Sequence, residues 1–152
     1  HILKSWTGYG PGLLKVQLRQ WMRPQPQTVY STHNGNPMVD YPMYGSSNAD
    51  ALQITQVERT DTATIVRIHA YYIPKYWIQL SKDTHLVADN GTSCPVLRTE
   101  GFPLGEHFFM PESGEATFTL YFAPLPAGTR TFDFTEGDGA DSWQIKGIRL
   151  RK

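Results

Sequence analysis

The 152-residue sequence has one cysteine, Cys94. One thiol excludes an internal disulfide, a CxxC redox pair and a cysteine-based zinc site. Ser93 and Pro95 beside it suggest the start of a strand. The expectation there is a buried small side chain rather than a nucleophile. Net charge is also missing, since 14 Lys and Arg balance 14 Asp and Glu. Without a basic footprint, the reading is no nucleic acid partner. No apolar run approaches a membrane span, so no transmembrane segment is expected, and the first residues lack a signal-peptide core. The chain starts at His1-Ile2-Leu3-Lys4 and could be a trimmed product, so that last point leaves the compartment open. A Walker loop, a dinucleotide fingerprint and a GxSxG elbow are absent too. The histidines (His1, His33, His69, His85, His107) show neither i, i+2 nor i, i+4 spacing, so no metal pair is expected. No cofactor is expected.

What is present is strand periodicity. From Thr62 to Tyr72, Thr64, Val66, Ile68, Ala70 and Tyr72 fall on one face, and Ala63, Ile65, Arg67, His69 and Tyr71 on the other. Arg67 and His69 mark the wetter face. Leu52 to Arg59 reads as the strand before it, with a turn at Thr60-Asp61. Tyr76 to Ser81 reads as a third strand after Pro74-Lys75. Thr84 to Ala88 and Ser93 to Thr99 form a hairpin around Asp89-Asn90-Gly91. Glu100 to Gly114 reads as a loop. Ala116 to Phe122 alternates cleanly, and Thr131 to Thr135 carries Phe132 and Phe134 inward. In the last strand, Trp143 to Leu150, the apolar phase slips between Ile145 and Ile148, which predicts a β-bulge at Gly147.

The first third is less regular. His1 to Gly12 is an irregular lead-in. Leu13 to Met22 fits a strand through Leu14, Val16 and Leu18, and also a helical stripe; its β context and Pro24 and Pro26 favour the strand. Gln27 to Ser31 and Met38 to Tyr44 flank a turn at Asn34-Gly35. Gly45 to Asp50 reads as a polar loop. The whole is all-β, an antiparallel sandwich of seven or more strands. Residues 1–152 make a single domain: 51–152 are the main sandwich, and 1–50 add strands or an arm.

Three pieces of chemistry invite attention. Tyr71, Tyr76 and Trp77 are candidate ligand-binding residues, because exposed rings stack on sugar faces. Tyr71 and Tyr76 are expected to be exposed, while strand position favours burial for Trp77 and Trp143. The acidic loop with Asp133, Glu136, Asp138 and Asp141 lacks EF-hand spacing and reads as a hydrated turn. Glu106, His107 and Asp138 could converge into a hydrolytic site only if separate strands brought them together.

Two stretches, TDTATIVRIHAYYIPKYWIQLSKDTHLVADNG and FPLGEHFFMPESGEATFTLYFAPLPAGTRTFDFTEGDGADSWQIKGIRL, carry a resemblance. Roughly residues 51 to 150 resemble the non-catalytic N-terminal β-domain of Bacteroidetes thioredoxin-like (TlpA-type) thiol-disulfide proteins. The resemblance implies an immunoglobulin-like sandwich, a periplasmic or cell-envelope setting, and a protein partner or downstream redox domain. It implies no redox activity for this chain, which has no CxxC. Carbohydrate binding by the aromatics is the alternative, with a glycan as partner.

Overall fold

The computed structural model describes residues 26–152. The expected strand over Leu13 to Met22 therefore lies outside the described residues. Twelve strands and no helix are found among the described ones. In chain order they are β1 (Val29–His33), β2 (Asn36–Asp40), β3 (Ser46–Ser47), β4 (Leu52–Arg59), β5 (Thr64–Tyr71), β6 (Trp77–Ile78), β7 (His85–Ala88), β8 (Ser93–Glu100), β9 (Phe108–Phe109), β10 (Glu115–Phe122), β11 (Thr131–Thr135) and β12 (Gln144–Arg149).

Ten of them form one antiparallel sheet that curls into two layers, in the order β1-β2-β4-β5-β10-β8-β7-β11-β12-β3. The corner is β8. Its first residues pair with β7 (Leu86↔Cys94), and its later ones pair with β10 (Tyr121↔Arg98). A bulge in the β8–β10 register skips Leu97, which is left exposed. An extra residue bends and twists a strand, and here the bend carries the sheet from one layer to the other.

The alternating pattern decides which side is core. Thr64, Val66, Ile68 and Ala70 of β5 are buried, as are Phe118, Leu120 and Phe122 of β10. The facing layer contributes Leu86, Phe132, Phe134, Ile145 and Ile148. Phe122 and Phe134 meet edge to face across the layers, centroids 6.1 Å apart. Each such ring contributes about 1.5–3 kcal/mol through burial. The fold is thus an all-β, antiparallel, sandwich-like one, with β5 between β4 and β10.

Residues 26–50 extend both layers. β1 and β2 form a hairpin on β4, turned by Asn34 and Gly35 at φ of 52° and 80°. Paired left-handed residues match the twist of adjacent strands. The segment read as a polar loop contains β3, which pairs with β12. The bulge at Gly147 is present: the β11–β12 register shifts there, and Gly147 has φ of 68°. Its amide donates to Asp133 Oδ1 at 2.9 Å.

Candidate functional site

The third expected strand is shorter than its pattern. Only Trp77 and Ile78 pair, and their partner is β9, inside the segment read as a loop (Trp77↔Phe109, Ile78↔Phe108). Alternation then sorts the side chains. Ile78 and Leu80 are fully buried, while Trp77 and Gln79 point to the outside. The small ribbon β6–β9 is anchored from below, where Phe108 lies 5.0 Å from Phe102, itself stacked on Phe118.

Above it the aromatics gather. The rings of Trp77 and His107 stack at 3.8 Å, almost parallel. His107 meets Phe109 edge-on at 6.2 Å. Phe109 and Tyr76 are exposed. Trp77, expected in the core, is half-buried, because a two-residue strand can bury only one of its side chains. Tyr71, expected to be exposed, is buried at 4% exposure. It does lie on the outer face of β5, but it stacks on His69 at 4.1 Å, and its hydroxyl hydrogen-bonds with His69 Nδ1. His69 in turn reaches Glu115 on the neighbouring strand at 3.0 Å. Of the three candidate residues, Tyr76 is exposed, Trp77 is half-buried on the ribbon's outer surface and Tyr71 is buried.

Beside Trp77 is a depression of 380 Å³, walled by Gln79, Asp83, Asp138 and Ser142 among others. The acidic loop forms its far side. Glu136 holds that loop in place: it is buried, Ser81 N donates to Oε2 at 2.9 Å, and Trp143 N donates to Oε1 at 3.1 Å. Asn48 clamps the other end, donating to Ser142 O and accepting from Gln144 N. The loop is therefore built by hydrogen bonds. Among the described residues no group of three His, Cys, Asp or Glu side chains could hold a metal ion. Trp77 also links the depression to His107, but no hydrogen bond joins Glu106, His107 and Asp138.

The lone thiol is in the core. Cys94 is 1% exposed, its Sγ 3.6 Å from Pro124 O, and desolvation by burial raises its pKa. A shielded thiol with a raised pKa supplies little thiolate for exchange.

Sequence reasoning missed the pairing of Trp77 with Phe109 and the Trp77–His107 stack. A signal was available in the two adjacent aromatics Phe108-Phe109 between turn residues. Protein-family models, characterised proteins and solved structures give no match to this chain.

Proposed function

We propose that this chain is a non-catalytic accessory module of an exported, envelope-located thiol-disulfide protein, and that it binds rather than reacts. The observation that carries the non-catalytic part is the burial of Cys94, which keeps the one thiol out of reach. The resemblance over residues 51 to 150 supports the thioredoxin-like connection, the immunoglobulin-like kinship and the setting. A protein partner or downstream redox domain supplies the chemistry. The test is disulfide reduction by the 152-residue chain with excess external reductant. The expected result is a rate equal to the protein-free control. A rate above it that Cys94→Ala abolishes contradicts the proposal.

The Trp77 depression favours a second reading, glycan binding. A half-exposed indole offers a flat apolar face, and Gln79, Asp83, Asp138 and Ser142 offer hydrogen-bond partners for hydroxyl groups. On this reading a neutral oligosaccharide binds weakly, and Trp77→Ala removes binding while thermal stability changes little. Unchanged affinity in Trp77→Ala sinks it.

A further inference from the structure

At another place on the sandwich, the balanced charge of the chain is locally unbalanced. β11 and β12 run antiparallel with Thr131 opposite Arg149. This brings Arg130, just before β11, next to the end of β12, where Leu150 N donates to Arg130 O at 2.9 Å. Leu150 packs against the core, so Arg149 and Arg151 on either side of it are exposed. Lys152 completes the group. These four cations line an open depression of 940 Å³, and among the described residues no Asp or Glu side chain lines it. Among the described residues none of the four makes an ion pair. Asp89 accepts the backbone amides of Arg130 and Thr131, and Asp133 accepts that of Gly147; neither lines the depression.

An aromatic rim stands beside the cations. Gly147 and Gly45 approach so closely that a Cβ on Gly147 would lie 3.3 Å from Gly45 N. That approach lets residues 43–47 lie along β12, tied by Gly45 N to Lys146 O and by Arg149 N to Met43 O, both at 2.8 Å. Met43 and Tyr44 are thereby held at the rim, 48% and 58% exposed.

We propose that this depression is a binding site for an acidic saccharide, one bearing sulfate or carboxylate groups. Four like charges around one depression repel one another, and an anion relieves that repulsion. Guanidinium forks match sulfate and carboxylate oxygens in paired hydrogen bonds. The exposed Tyr44 ring gives a sugar ring an apolar face, which a bare ion would not need. The site is separate from the Trp77 depression and does not depend on the glycan reading there.

The test is calorimetric titration of the chain with three oligosaccharides of equal length: a dextran sulfate, a polygalacturonate and a neutral dextran. Either acidic oligosaccharide should bind, more weakly as salt rises, and the neutral one should not. The stronger of the two acidic arms identifies the anionic group. Arg149→Gln with Arg151→Gln should weaken binding about tenfold or more. Tyr44→Ala should weaken it too. The substituted side chains are exposed, so folding is not at stake. No binding by either acidic oligosaccharide, or binding indifferent to the arginine changes, overturns the proposal. So does inorganic sulfate binding as tightly as the sulfated oligosaccharide with Tyr44→Ala silent, or a polyglutamate peptide binding more tightly than both.

Discussion

At the scale of single residues, two buried groups make opposite demands. Cys94 is neutral and inert, and its burial pushes the thiol up. In the folded protein it should resist an alkylating reagent that labels it fully in denaturant, as mass spectrometry of the two samples would show; rapid labelling of the folded protein would contradict this. Glu58 is buried yet charged. Burial works against ionisation, but hydrogen bonds and charge from His33 and Arg67 outweigh it and hold the carboxyl below its ordinary value of 4.5. A carboxyl with a lowered folded-state pKa stabilises the fold above the unfolded value and loses that contribution as pH falls through the folded one. Between about pH 5 and 3, Glu58→Gln should therefore show a shallower loss of stability than the native protein in urea titrations; parallel curves would contradict it. Residue placement was legible where alternation rules, as at Val66, Ile68 and Tyr72. It failed at Tyr71, because alternation gives the face of a side chain and not what lies over it. The stack on His69 and the link to Glu115 join three residues across two strands, a pairing that needs the register.

At the scale of elements, the bulge of β12 was readable because a phase slip and a glycine coincide. The structure adds why the glycine is there: Gly45, just before β3, lies directly against it. Gly147→Ala puts a side chain at φ of 68° and 3.3 Å from Gly45 N. About 1–3 kcal/mol of stability should be lost, measured by urea denaturation, since left-handed strain and displacement of β3 both act. A change under about 0.5 kcal/mol would mean that the strap moves aside freely. The short strands were not legible. β3, β6 and β9 have two residues each, too few to display a period. β6 also paired across the chain with β9 rather than continuing a meander, and local pattern carries no information on a partner about thirty residues away. The Trp77 surface follows from that pairing, so the candidate site was half visible: its aromatics could be named, but their neighbours could not.

At the scale of the whole molecule, the sandwich follows from counting short alternating segments between turns. The corner at β8 was hidden, because Leu97 looks like any strand residue until β10 is placed against it. The two layers depend on their shared aromatics. Phe134→Ala, which removes a fully buried ring facing Phe122, should cost about 3–5 kcal/mol. A thermal melt shifted by less than a few degrees would show that the layers hold without it. The central claim concerns the molecule's place in a larger one, and peptide mapping of the native polypeptide from its source tests that most directly. The account predicts peptides that continue past Lys152 into a segment with CxxC. A native polypeptide that stops at Lys152 would contradict it and leave the two proposed saccharide sites as the remaining basis for function.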